Sequence, residues 1–153
     1  RYHAAEAALR QAIEIAPRHH LNWSNLGDIL FVSGKHDAAA DAYANADQLV
    51  EEQLAVNAND PGSLMDHAWI HAMLGERDVA LTQIATALGA APDDPYASYI
   101  EGLIQNRFGD TAAALDSFER AVAQGYSTTM LRAEPLLLSL RGDPRFERLT
   151  RAD

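Results

Sequence analysis

Trp23-Ser24-Asn25-Leu26-Gly27 opens a stretch, residues 23–51, that continues through Ala39, Tyr43 and Ala46. Its second half sets a template: a small residue, a large one four later, a small one three after that. The template recurs 34 residues upstream as Ala5, Leu9 and Ala12. It recurs 41 residues downstream as Ala80, Ile84 and Ala87, and 34 further on as Ala114, Phe118 and Ala121. The middle spacing exceeds the other two by seven residues, about two turns of helix at 3.6 residues each.

Residues at i, i+4 and i+7 share one helix face. Small side chains at two of these positions let a neighbouring helix come close, and the large one fills the gap that remains. A glycine before a polar or charged pair opens three of the copies, at Gly34-Lys35-His36, Gly75-Glu76-Arg77 and Gly109-Asp110-Thr111. Glycine turns the chain between two helices, and Pro17 and Pro92, each five residues after the last small residue, stop the second one. The unit is a helical hairpin, repeated.

Trp23-x-x-Leu26-Gly27 followed by Ala39-x3-Tyr43-x2-Ala46 resembles the tetratricopeptide repeat at most of its signature positions. Pro17 and Pro92 match its terminal proline; Glu51 departs from it. His67-Ala68 and Glu101-Gly102 stand where Leu-Gly is usual. The resemblance implies an all-α, right-handed superhelical stack of hairpins, an α-solenoid, with a C-terminal capping helix. One domain over residues 1–153 is expected, with a partial repeat at about 1–19, repeats at 20–60, 61–94 and 95–127, and a capping tail at 128–153. Residues 1–16 read as the second helix of a truncated repeat. Because the chain opens at Arg1 inside that helix, a fragment of a longer protein is expected.

Within repeat two, the helix predicted over 35–57 carries the two extra turns, with Leu49, Gln53 and Val56 on one face and Val50 and Leu54 beside it. It is expected to project past the stack or pack on a neighbour. Asn59-Asp60-Pro61 and Asp93-Asp94-Pro95 are helix starts, with proline in the first turn. In the tail, Thr128 to Leu140 reads as a helix broken or restarted at Pro135. Asp143-Pro144 caps a short helix from Arg145 to about Arg151. The long second helix and the tail, with Glu134-Pro135-x-Leu137-x3-Leu140-Arg141-Gly142-Asp143-Pro144-Arg145-Phe146, look like the C-terminal repeat region of bacterial serine/threonine kinases, adenylate cyclases and winged-helix regulators. That likeness implies an accessory region of a signalling protein. No kinase or cyclase motif is present, so it brings no activity and no catalytic residue.

Composition narrows the chemistry. The net charge of −10, from 22 acidic and 12 basic residues, argues against a nucleic-acid surface, which needs a basic stripe. Such a charge keeps an alanine-rich solenoid in solution. With no cysteine, disulfides, thiolate zinc sites and cysteine nucleophiles are excluded. No apolar run approaches the ~18 residues of a membrane span. The compartment, cytoplasmic or periplasmic, is left open.

His67 and His71, four apart on a helix, have a spacing that suits a divalent metal. Asp66 is adjacent but points about 100° away. With no third ligand in view, packing and hydrogen bonding is the expected role, and neither a metal nor another cofactor is expected. His19-His20 read as cap and turn. Arg141-Gly142-Asp143 spells an adhesion tripeptide, but the turn and cap before Pro144 account for it.

First helices of such hairpins line the concave surface. Their inward positions are Ser24, Asp28 and Phe31 in repeat two, Met65, Trp69, Ala72 and Met73 in repeat three, and Tyr96, Tyr99, Leu103 and Asn106 in repeat four. Aromatic and methionine side chains there make an adaptable apolar lining. The expected site is therefore a partner-binding groove of Phe31, Met65, Trp69, Met73, Tyr96 and Tyr99, with packing between repeats as the competing role for Trp69 and Tyr99. A carboxylate clamp is not expected, since Asn25 and Asn106 have no inner-face lysine beside them. The expected function is non-catalytic: binding of a protein or peptide. Self-association or spacing through the long helix at Leu49, Leu54 and Val56, giving a homo-oligomer, is the alternative, and a histidine metal protein the third.

Overall fold

The computed structural model describes residues 2–151. The expectation that a helix opens at Arg1, and the last two residues of the tail, lie outside them. Seven helices are arranged in succession: α1 Tyr2–Ile15, α2 His20–Val32, α3 His36–Val56, α4 Pro61–Leu74, α5 Arg77–Ala90, α6 Pro95–Arg107 and α7 Thr111–Ala123. Then come α8 Thr128–Ala133, a 3-10 helix over Pro135–Leu140 and α9 Pro144–Leu149. Among the described residues there is no strand.

The chain pairs as hairpins, α2 with α3, α4 with α5 and α6 with α7, and each hairpin meets the next. In each hairpin the template residues close the contact. Ala39, Tyr43, Ala46, Ala80, Ile84, Ala87, Ala114, Phe118 and Ala121 are all buried to within 1%. The turn glycines Gly34, Gly75 and Gly109 have φ of 79°, 88° and 82°, where a Cβ would be strained. The carboxylates of Asp60 and Asp94 accept hydrogen bonds from the backbone N–H groups of Ser63 and Tyr96, starting α4 and α6 as Asx caps ahead of proline.

The long helix runs 21 residues, roughly 30 Å at 1.5 Å per residue. Val50 is fully buried and Leu54 half-buried, whereas Val56 is 89% exposed. Its last turn therefore projects. The tail differs from a single interrupted helix. It bends at Glu134, and the Pro135–Leu140 half winds as a 3-10 helix with Leu137 off helical geometry (φ −101°, ψ 18°). Asp143 caps α9 by accepting from the N–H groups of Arg145 and Phe146. α9 lies on α7, with Phe146 buried and Arg145 paired to Asp116 and Glu119. This closes the apolar end of the stack, as a solenoid requires. The 3-10 helix packs on α6.

Candidate functional site: the concave face

The concave face is built by α2, α4 and α6, and it centres on Asp28. Its Oδ1 accepts the Tyr43 hydroxyl at 2.6 Å and the Trp69 indole N–H at 3.0 Å. One carboxylate thus ties α2 to its own hairpin partner α3 and to α4 of the next repeat. The walls around it desolvate it and raise its pKa to about 7, against the lowering effect of the two donated hydrogen bonds; nearby Glu134 adds to the rise. Glu134, in the tail, accepts the Tyr99 hydroxyl at 2.8 Å. Burial foremost, then the Glu134 charge, pushes the Tyr99 phenol far up, so it stays a donor.

Met65, Trp69, Met73 and Tyr99 are buried, between 5% and 7% exposed. Trp69 and Tyr99 have their polar atoms committed within the protein. Tyr99 also stacks on Tyr126, with ring centroids 4.3 Å apart and planes at 14°. Tyr96 is 41% exposed and leans on Tyr99 at 5.8 Å. Phe31 is half-buried under the Arg107 guanidinium, 5.1 Å from the ring centroid. The six expected groove residues thus divide into four that pack between helices and two, Phe31 and Tyr96, that reach solvent.

The tail crosses this face. Leu136 lines three separate clefts. One, of about 460 Å³, opens between α1, α2 and the tail, against Ala5, Leu9, Ile29, Val32 and Pro135. Another, of about 240 Å³, holds Trp69, Tyr96, Tyr99, Tyr126 and Met130 beside the carboxylates of Asp28, Asp66 and Glu134. A third, of about 190 Å³, lies among Phe31, Leu103, Asn106, Arg107 and Leu136. Sequence reasoning missed Arg107, Tyr126, Glu134 and Leu136 as parts of this face. Arg107 is the last residue of an inner helix and had a periodic signal. Tyr126 lies at the very end of the fourth repeat, past its second helix, and Glu134 and Leu136 lie beyond the repeats, in a segment read only as a cap.

Elsewhere, His20 does more than turn the chain. Its Nε2 lies 2.7 Å from Asp66 Oδ2 and its Nδ1 3.2 Å from the Gln53 amide, so a buried imidazole joins α2, α3 and α4. His19 occupies the N-cap position of α2 without a side-chain hydrogen bond to the helix. His67 and His71 do have a third ligating neighbour: Asp47 of α3 lies against both. Burial first, then the neighbouring His71, pulls the His67 pKa down, so its neutral form is favoured.

No protein of curated function matches this sequence. Several solved structures are similar in fold. The crystal structure of MamA is 14% identical, with a TM-score of 0.49, over 97% of this chain and 82% of its own. YrrB, described as a TPR protein with an unusual peptide-binding site, is 17% identical, with a TM-score of 0.47, over 92% of this chain and 84% of its own. A tetratricopeptide repeat protein from Parabacteroides merdae is 25% identical, with a TM-score of 0.46, over 97% of this chain and 57% of its own. The tetratricopeptide repeat pattern itself matches residues 1–51 and 65–127, passing over the projecting end of α3 and the start of α4. With three hairpins in register and the pattern met over most of its length, the chain belongs to the tetratricopeptide repeat family.

Proposed function

We propose that the chain is a non-catalytic interaction module that holds a peptide or protein segment on its concave face. The supporting observation is a pair of aromatic side chains that reach solvent, half-buried Phe31 and exposed Tyr96, lining neighbouring clefts that share Trp69, Leu103 and Leu136. Aromatic anchors in partly desolvated clefts supply most of the affinity in such contacts. Asp28, Asp66 and Glu134 around Tyr96 favour a ligand that brings hydrogen-bond donors or a positive charge there. We further propose, from the likeness of the long helix and tail, that the module is an accessory region of a bacterial signalling protein.

The test is selection from a displayed peptide library, with Tyr96→Ser and Phe31→Ser variants verified as folded by circular dichroism. Trp69 is the wrong residue to change, because its loss would strip Asp28 of a donor. Enrichment of apolar-plus-basic sequences by the native protein, and loss of that enrichment in the variants, is the expected result. Equal enrichment by native and variant proteins would place the ligand elsewhere.

One observation favours a second reading, self-association. Val56 stands out from the end of α3 beside a cleft of about 580 Å³ that it lines with Leu49 and Arg18. A monomer at every concentration in light scattering would remove it.

A further inference from the structure

We propose that Asp47, His67 and His71 form a binding site for a divalent transition-metal ion of the zinc class, with Glu76 and Gln83 orienting the two imidazoles. The site lies on the side of α4 that meets α3 and α5, away from Trp69 and Met65, so it is independent of the groove.

The geometry comes first. α4 sets His67 and His71 one turn apart, with ring planes at 67° and Nε2 atoms 2.8 Å from each other. Asp47 Oδ1, supplied by α3, lies 2.9 Å from His67 Nε2 and 3.4 Å from His71 Nε2. Three ligands bound at about 2.0–2.1 Å to one ion stand roughly 2.9–3.3 Å apart at octahedral to tetrahedral angles. The observed triangle is close to that size. Two imidazoles and a carboxylate from two helices suit zinc, nickel or cobalt, and suit magnesium or calcium poorly.

The protons point the same way. His71 Nδ1 is 2.7 Å from Glu76 Oε2, so that nitrogen carries the hydrogen and Nε2 presents a lone pair. His67 Nδ1 is 2.6 Å from the Gln83 amide nitrogen, while the Gln83 oxygen is buried without a partner. Turning the amide over, which leaves its shape unchanged, lets that oxygen accept from His67 Nδ1–H and frees the second Nε2. Asp47 Oδ1 is likewise buried, and it faces the same two Nε2 atoms. Three acceptors then converge with no proton among them. In the other amide orientation they share one. A cation resolves this, and each imidazole already has the outer partner that metal-bound histidines use. The side chains are 8%, 12% and 22% exposed for His67, His71 and Asp47, so the cluster meets solvent chiefly on the Asp47 side. Bound there, the ion clasps α3 to α4 across two repeats.

The test uses the whole chain, free of any histidine tag and stripped with chelator. It is titrated with zinc by calorimetry and with cobalt by visible absorption. One equivalent of zinc, a cobalt spectrum of mixed nitrogen and oxygen ligation, and a zinc-dependent rise in Tm are expected. His71→Ala and Asp47→Asn should each abolish the stoichiometric site, and Glu76→Gln should weaken it roughly 10–100-fold. Circular dichroism precedes each titration, and the native protein's isotherm and cobalt spectrum decide the matter even if a variant unfolds. Failure of the native chain to take up one equivalent would overturn the site, in favour of a proton shared by the histidines. So would uptake undiminished in both variants, with surface histidines as the binders.

Discussion

At the scale of single residues, hairpin geometry is a matter of a missing methyl. A Cβ on Gly27 would lie 2.6 Å from the Tyr43 ring, and one on Gly102 2.5 Å from the Phe118 ring. In the same register Ala68 faces the position of Ile84, a side chain without the reach of an aromatic ring, and alanine is accommodated there with zero exposure. Gly102→Ala is therefore expected to cost about 1–3 kcal/mol by overpacking. Gly89→Ala, in open space in the last turn of α5, should gain a fraction of the ~1 kcal/mol of a helix interior. Urea unfolding of the pair checks both signs. Asp28 carries a different signature. Its pKa rises on folding from 3.8 to about 7, so the folded state holds its proton more tightly. Its contribution to stability is full below about pH 4 and is lost as pH climbs through about 7. The groups facing it are Tyr43, Trp69 and Glu134. Asp28→Asn keeps an acceptor for both donors and is expected to flatten the fall in stability between pH 4 and pH 7. A profile as steep as the native one would assign the dependence to another group.

At the scale of elements, local chemistry decides where helices begin, and long-range packing decides how the tail winds. Asp60, Asp94 and Asp143 cap their helices through their own carboxylates, an interaction confined to three or four residues and readable in advance. The fate of Thr128 to Leu140 was readable only in part. Pro135 marks the break, but the 3-10 winding after it follows from the docking of Leu137 and Leu140, both buried, on elements far back in the chain. α9 is short, six residues, and owes its place to Phe146. Phe146→Ala is expected to cost about 3–5 kcal/mol. Since a solenoid is stabilised repeat by repeat, hydrogen exchange should show α7 losing protection before α4. Uniform loss along the stack would mean that the hairpins do not open separately.

At the scale of the whole molecule, the superhelix folds its own tail against its concave face. Leu136 and Glu134 divide that face into smaller clefts and add an acidic group beside the Tyr96 and Tyr99 rings. Inner positions were identifiable from a period of 3.6, since first helices present one stripe inward. Which of those side chains would still meet solvent was not, because exposure depends on what crosses in front of them. Trp69 is the clearest instance: its indole N–H finds an acceptor 41 residues earlier in the chain.

The primary structure alone determined the repeat, the helix count within it, the glycine turns, the aspartate caps and the exclusion of cysteine chemistry. All of these rest on interactions within one hairpin or one turn. The tertiary structure decided the rest: the sharing of Asp28 between two repeats, the tail across the groove, and the meeting of Asp47 with His67 and His71. Each joins residues of different hairpins, or of a hairpin and the tail. Periodicity says which way a side chain faces on its own helix, and only the packing of helices says what it faces.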